Sequence, residues 1–196
     1  MPNRKIPKKL YIYTNGEKTE YEYFWLFKNW LENKGEYQLI IKPAIKGNFE
    51  NLVNQVSGSK KPKKFSAKDG DEIWLVFDID NEIVDNTNKF NLAVQTAKSK
   101  KFNLAWSNEC FELWFLLHFQ DINSETSRND YDDKLKRLCK KEGFEYHKNQ
   151  NIDKLFERLK DKIPTAIKNA HKIDTSNPSK NPSTKIYEII EKLSKG

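Results

Sequence analysis

Short apolar runs alternate with segments of helical spacing along the first half of the chain. Leu10–Thr14 is rich in β-branched and aromatic residues, and it ends at Asn15 and Gly16, a dipeptide typical of turns. From Glu17 onward, apolar residues recur at helical spacing until Gly35, which predicts a helix. Further strands are predicted at 37–45, 72–77 and 102–106, and further helices at 49–56 and 86–101. This alternation favours an α/β fold in which helices flank a mostly parallel sheet of about four strands.

The second half of the chain is predicted to be α-helical. The periodicity places helices at 110–119, 128–143, 152–171 and 183–195. Ser183 or Thr184 is suited to cap the amino terminus of the last helix. We therefore expect an α/β core at 1–120 and a helical region at 121–196 that packs on it.

The charge of the chain is compatible with an anionic partner such as nucleic acid. Lysine and arginine exceed aspartate and glutamate by 35 to 28, which gives a net charge of +7. A general bias toward Lys and Asn would explain the same excess without any role in binding. The densest basic run is predicted to be a mobile loop that either contacts phosphates or simply connects two elements. Its members are Lys60, Lys61, Lys63, Lys64 and Lys68.

Several protein classes are disfavoured by the sequence. The longest strongly apolar stretch is far shorter than the roughly 20 residues that span a bilayer, and no apolar segment typical of a secretory signal precedes the first strand. A cytoplasmic location is therefore expected. Cys110 and Cys139 are the only cysteines, which argues against a disulfide framework and against a thiolate zinc site.

Acidic and polar residues follow three of the predicted strands. Ligands of open α/β sheets bind at the carboxyl ends of the strands, so these groups could converge. Asp78 and Asp80 follow the most apolar strand, and residues two apart in an extended segment share a face. Two such carboxylates suit a hard cation such as Mg²⁺, although aspartates after a strand also serve as turn formers or helix caps. The other groups are Asn15 with Glu17 and Glu20, and Ser107, Asn108 and Glu109 followed by Glu112.

Three alternative phosphate-handling sites fit the spacing poorly. The TNGEKTE segment lacks the glycine pair of a P-loop, and the chain lacks the three-glycine fingerprint of dinucleotide-binding folds. A phosphatase that uses the first Asp of a DxD pair as nucleophile would carry that pair on the first strand, whereas FDIDN follows the third.

Four segments together resemble the RloB-like family across nearly the whole chain. They are LYIYTNGEKTEYEYF, WLVFDID, AWSNECFELWFLLHF and NPSTKIYEIIEKL. RloB-like proteins are similar to the Toprim superfamily, which includes OLD-family nucleases, and are encoded in restriction and phage-defence loci, often beside an AAA-type or ABC-type ATPase. The resemblance implies a Toprim-like fold, a nuclease that depends on Mg²⁺ or Mn²⁺, and a role in antiviral, abortive-infection defence. Either DNA or RNA could be the substrate, and an oligomer is compatible with the sequence.

The resemblance also implies which residues form the site. Asp78 and Asp80 match the paired Toprim aspartates, and Glu20 matches a further acidic position, so these three residues are the expected metal ligands. Asn15 stands where the Toprim pattern has a glutamate. An amide oxygen can ligate a cation but cannot act as a base at neutral pH.

Further residues complete the expected site. Glu112 matches the acid of the family's FELW segment, and Glu17 could compensate for Asn15. Lys18, near the start of the first helix, is placed to meet a phosphate. His118 also matches, but a histidine at the end of an apolar helix is more often a packing residue. The alternative to a nuclease is a catalytically reduced subunit that binds nucleic acid or docks on a partner ATPase.

Overall fold

The chain folds around one mixed sheet. The structure is a computed structural model that describes residues 7–16, 18–31, 36–79, 87–148 and 152–194. Within these ranges five strands pair in the order β2-β1-β3-β4-β5, and only β5 is antiparallel to its neighbour. The strands are β1 (Lys8–Thr14), β2 (Tyr37–Ile41), β3 (Glu72–Ile79), β4 (Asn103–Asn108) and β5 (Ser183–Thr184). The expected α/β architecture with a mostly parallel sheet is thus confirmed.

Helices cover both faces of this sheet. One face packs against α2 and α3, and the other packs against α1 and the helices of the second half. The helices are α1 (Thr19–Leu31), α2 (Phe49–Gly58), α3 (Thr87–Ser99), α4 (Glu112–Leu117), α5 (Arg128–Lys141), α6 (Asp153–Leu159), α7 (Ile163–Ala170) and α8 (Ile186–Ser194), with 3₁₀ turns at Ala67–Asp69 and Lys160–Lys162. None of the helices within the described ranges combines the length and apolarity that a membrane crossing requires.

The apolar run of β3 explains its position in the middle of the sheet. Five consecutive residues of this strand, 73–77, are buried, as expected for a parallel strand covered on both faces. Successive side chains of β1 alternate between the two cores, so that Leu10 and Ile12 face one and Tyr11 faces the other. Two separate apolar layers therefore fix the register of the central strands.

Several boundaries differ from those predicted, and four of these differences affect the sheet or the helices of the second half. Ser183 and Thr184 form β5 on the edge of the sheet instead of the first turn of the last helix, and the Thr184 hydroxyl lies 3.0 Å from that of Ser107. The predicted helix at 152–171 is divided by the 3₁₀ turn Lys160–Lys162. The second strand ends at Ile41, and β3 continues to Ile79, which places Asp78 inside the strand.

The second half of the chain packs on the same core as the first. Tyr23 of α1 lies 5.7 Å from Phe156 of α6 and 5.4 Å from Phe111, measured between ring centroids. Tyr131 and Ile189 belong to the same apolar cluster. The division of the chain at residue 120 stays a prediction, while strand β5 comes from the part that was expected to be purely helical.

The lysine-rich loop lies at the amino ends of the parallel strands. Lys9 Nζ donates to the carbonyl oxygen of Lys64 at 3.3 Å. Buried Asp71 fixes this turn, because its carboxylate accepts from the backbone N–H groups of Lys9 at 2.8 Å and Ser66 at 2.9 Å. Strand β3 rises about 3.3 Å per residue, so the loop lies about 20 Å from the carboxyl edge of the sheet.

Asp71 provides a test of this turn. We expect Asp71→Ala to lower the free energy of unfolding by about 2–4 kcal/mol, because two backbone N–H groups lose their acceptor. Asp71→Asn keeps one acceptor oxygen and should lose less. Denaturant unfolding followed by circular dichroism measures both, with the exposed neighbour Asp69→Ala as the matched control. Equal stability of Asp71→Ala and Asp69→Ala would contradict this account of the turn.

Candidate functional site

A cavity opens at the carboxyl edge of the sheet, where β1 and β3 end and where α1, α4 and α5 begin. Its volume is about 570 Å³. Three carboxyl side chains line it, from Glu20, Asp78 and Glu112, together with four cationic ones, from Lys18, Lys46, Arg128 and Lys148. The structure thus brings together acidic residues that the sequence places far apart.

Asp78 is the acidic residue of the cavity that lies on a strand of the sheet. Its side chain is 17% exposed, and Oδ2 lies 3.5 Å from Nη1 of Arg128. The other oxygen, Oδ1, is buried and has no hydrogen-bond partner among the described residues. Burial raises the pKa of Asp78 well above its ordinary value, the nearby Glu20 carboxyl raises it further, and Arg128 opposes the shift. A buried carboxylate in which only one of the two oxygens is paired favours binding of either a proton or a cation.

Glu20 is held over the Asn15-Gly16 turn. It is the second residue of α1 and is buried. A Cβ atom on Gly16 would lie 1.9 Å from Oε2 of Glu20, so any side chain at position 16 would displace the carboxyl group. Burial raises the pKa of Glu20 to about 7, and the charge of Glu112 adds to the shift. Glycine at position 16 thus leaves room for a second carboxyl group whose charge changes near neutral pH.

Asn15 contributes a neutral oxygen to the same cavity. Its backbone N–H extends the β1–β3 pairing by donating to the carbonyl oxygen of Val76 at 3.2 Å. The side-chain amide nitrogen donates to the carbonyl oxygen of Gly47 at 3.4 Å. The amide oxygen is buried and accepts no hydrogen bond within the part of the chain that the structure describes. Asn15 and Asp78 therefore each bring an unsatisfied buried oxygen to the cavity that they line together.

Glu112 differs from Asp78 and Asn15 because other protein groups already bind its carboxylate. Its Oε1 accepts a hydrogen bond from the Tyr146 hydroxyl at 3.1 Å and pairs with Nζ of Lys148 at 3.3 Å. The thiol of Cys110 also interacts with this carboxyl group, and burial is the main reason that the pKa of Cys110 is raised. The carboxyl group of Glu112 is thus committed to the protein.

The polar residues at the end of β4 do not join the cavity. Ser107 pairs with Thr184, and the side-chain amide of Asn108 donates to the carbonyl oxygens of Pro178 at 3.0 Å and Lys180 at 3.2 Å. Glu109 accepts from the backbone N–H of Arg128 at 2.7 Å, and its carbonyl oxygen accepts from the Arg128 guanidinium, also at 2.7 Å. Ser107, Asn108 and Glu109 therefore hold neighbouring segments in place, including Arg128 beside Asp78.

His118 packs in the core and does not line the cavity. Its Nδ1 lies 2.9 Å from the carbonyl oxygen of Trp114, and its Nε2 is buried without a partner. Burial lowers the pKa of His118 to about 4, so the ring is neutral at physiological pH. The packing interpretation of this residue agrees with its position in the structure.

The cationic lining of the cavity only partly matches the predicted nucleic-acid contacts. Lys18 lines the cavity, whereas the loop that carries Lys60, Lys61, Lys63 and Lys64 lies at the opposite edge of the sheet. Glu17 and Asp80 lie outside the described residues. Within the described ranges, no group of three or more His, Cys, Asp or Glu side chains is arranged to hold a metal ion.

Sequence reasoning missed Lys46, Arg128 and Lys148. Arg128 occupies the first position of α5, where the helix dipole disfavours cations. This unfavourable position could have identified Arg128 as a candidate site residue. Lys46 precedes Gly47, whose positive φ of 114° marks a sharp turn. For Lys148 the sequence gives no such indication, since its partner Glu112 lies far away in the chain.

A family comparison assigns the chain. The model of a family described as RloB-like protein matches residues 10–193, which is nearly the whole chain. The protein therefore belongs to the RloB-like family, and its sheet with helices on both faces is compatible with a Toprim-like α/β fold. No curated protein and no solved structure matches the chain.

The raised pKa of Glu20 makes the stability of the protein depend on pH. Its pKa is about 7 in the folded protein, against an ordinary value of 4.5, so the folded state holds a proton that the unfolded state has released. The free energy of unfolding should therefore fall as pH rises from about 4.5 to about 7, by about 3 kcal/mol. Glu20→Gln should flatten this slope and stabilise the protein above pH 7.

Denaturant unfolding across this pH range, without divalent cations, tests the expectation. Glu22→Gln, which changes an acid two positions further along α1, is the matched control and should retain the slope. The same slope of stability against pH in the wild type and in Glu20→Gln between pH 5 and pH 7 would contradict it.

Proposed function

We propose that this protein is a nuclease that hydrolyses phosphodiester bonds of DNA or RNA with the help of Mg²⁺ or Mn²⁺. One observation carries the proposal: the buried carboxyl groups of Glu20 and Asp78, both with raised pKa values, share one cavity at the carboxyl edge of a parallel sheet. Perturbed carboxyl groups in a cleft are typical of catalytic and metal-binding sites.

The chemistry of the available donors fits a hard divalent cation. Every candidate ligand is an oxygen atom, and Asp78 Oδ1 and Asn15 Oδ1 are buried without partners. Mg²⁺ prefers oxygen ligands and is commonly bound through one or two carboxylates, with water in the remaining positions. Asp78 and Glu20 would hold the ion. Asp80, two residues beyond Asp78, is the further ligand expected from the sequence.

The residues that line the cavity would have different roles in hydrolysis. A bound divalent cation would lower the pKa of a water molecule and neutralise phosphate charge. Lys46 and Lys18 lie at the mouth of the cavity, where they would attract the anionic backbone of the substrate. Arg128 would neutralise a phosphate close to Asp78.

The biological setting of the proposal comes from the family resemblance. On the basis of this resemblance we propose that the activity serves antiviral defence of the abortive-infection type, with an AAA-type or ABC-type ATPase as a possible partner. A partner that restrains the activity would make the isolated protein less active than the complex. Coexpression with a neighbouring ATPase is therefore part of any full test.

Removal of the paired aspartates should abolish cleavage. Loss of even an outer partner of a metal site costs about 10- to 100-fold, so Asp78→Ala and Asp80→Ala should each leave no measurable metal-dependent activity. The assay incubates the protein with Mg²⁺ or Mn²⁺ and a mixture of plasmid DNA, single-stranded DNA and total RNA. Circular dichroism verifies the fold of each variant.

The matched control for these variants is Asp121→Ala. Asp121 is an exposed acid that pairs with Lys172 at 2.6 Å, away from the cavity. The Asp121→Ala variant should cleave as the wild type does. Full activity in Asp78→Ala or Asp80→Ala would remove the proposed site.

The second candidate function is a catalytically reduced subunit that binds nucleic acid or docks on an ATPase. Two observations favour it. Asn15 provides an uncharged ligand where the Toprim pattern has an acid. The described residues also lack a cluster of three side chains arranged for a metal.

Asn15→Glu discriminates between the two functions. If the protein is a reduced member, the wild type should be inactive and the glutamate should restore cleavage, because it adds a charged ligand beside Asp78. If the wild type already cleaves, Asn15 is itself a sufficient ligand. Asn15→Gln lengthens the side chain without adding charge and is the control that separates charge from size.

A further inference from the structure

The segment that follows α5 reaches back into the cavity. Tyr146 is buried, and Lys148, two residues later, lines the cavity. Both side chains meet the same carboxylate oxygen of Glu112. The buried tyrosine therefore fixes where the lysine enters the site.

Glu112 is suited to be an anchor. It begins α4, all six residues of which are buried, and its side chain is only 3% exposed. Its partners come from the protein, whereas Asp78 Oδ1 and Asn15 Oδ1 have none. The carboxyl groups of the cavity thus differ in role, with Asp78 open to a ligand and Glu112 occupied.

Lys148 remains accessible although it is paired. Its side chain is 32% exposed, and an ammonium group donates three hydrogen bonds, of which the contact with Glu112 uses one. Lys148 lines the same cavity as Asp78 and Glu20, and its charge opposes the raised pKa values of both acids. A phosphate bound near those carboxyl groups would lie within the field of this lysine.

We propose that Lys148 binds a phosphate of a polynucleotide in the cavity and that Glu112 is the positioning residue that holds Lys148 there. The inference rests on the proposed function, since it names a substrate contact at the same site. It assigns Glu112 to the support of a substrate-binding lysine and not to the metal.

The test measures binding without metal, so that it does not depend on cleavage. Fluorescence anisotropy in EDTA follows short fluorescein-labelled single-stranded DNA and RNA of one sequence over a series of salt concentrations. Lys148→Ala should bind about tenfold more weakly, and the slope of affinity against salt should decrease by about 0.7, the value for one phosphate contact of a single strand. Lys148→Arg should restore both.

The matched control is Lys162→Ala. Lys162 is 37% exposed and pairs with Glu142 at 3.4 Å, but it does not line the cavity. Its substitution should change neither affinity nor slope. Identical affinity and slope in Lys148→Ala and Lys162→Ala, or a wild type that binds neither polynucleotide, would overturn the proposal.

A footprint of the intact protein gives a reading that does not depend on how Lys148→Ala folds. Acetylation of lysines followed by mass spectrometry should show that the oligonucleotide slows modification of Lys148 several-fold and leaves Lys162 unchanged. In Glu112→Gln without oligonucleotide, Lys148 should be acetylated faster, because its amine is no longer held by a carboxylate. Equal rates at Lys148 with and without oligonucleotide would count against the phosphate contact.

The two proposals can fail independently. Normal cleavage by the wild type with no binding defect in Lys148→Ala would leave the nuclease intact and remove this inference. A binding defect without cleavage under any metal condition would support the inference and favour the catalytically reduced subunit.

Discussion

The burial of carboxyl groups at the end of a central strand is the constraint on which this structure depends. Strand β3 is covered on both faces, so Asp78 near its end has little access to water. An ionised group in such a place is costly unless other charges or donors compensate it. Arg128 compensates one oxygen of Asp78, and its own position is fixed by Glu109. Asp78 therefore connects the sheet, through Arg128, with the start of α5 and with the segment after β4.

The two edges of the sheet carry different charge arrangements. At the carboxyl edge, acids and cations mix within one cavity, which suits a ligand that is anionic and bound beside a cation. At the amino edge, the lysine-rich loop is fastened through Asp71 and Lys9, with the length of β3 between it and the cavity. A polynucleotide bound at the cavity would have to extend about 20 Å along the sheet to meet that loop. The loop is thus a surface separate from the cavity, and the role of its lysines in binding nucleic acid stays a prediction.

Local periodicity was sufficient to predict most elements, because the spacing of apolar residues reflects which face each element buries. The run EIWLVF predicted a central strand, and the dipeptide Asn15-Gly16 predicted the turn beneath Glu20. The convergence of Glu20, Asp78 and Glu112 followed from a general rule about sheet edges. Strand β5 could not be predicted, since two residues are stabilised by contacts with Trp106 and Ser107, far away in the sequence. Lys148 was missed for the same reason, because its place depends on a buried partner and not on its neighbours.

Asn15 sets the electrostatic balance of the cavity. Burial raises the pKa of Glu20 to about 7 and that of Asp78 well above its ordinary value, and the charge of Glu112 adds to both shifts. A glutamate at position 15 would add a further negative charge beside both, and without a cation the cluster would retain protons at neutral pH. The amide supplies an oxygen with no charge, so it reduces the repulsion within the metal-free site. For the same reason it attracts a cation less strongly, and in the proposed nuclease the affinity for Mg²⁺ or Mn²⁺ would then come from Asp78, Glu20 and Asp80.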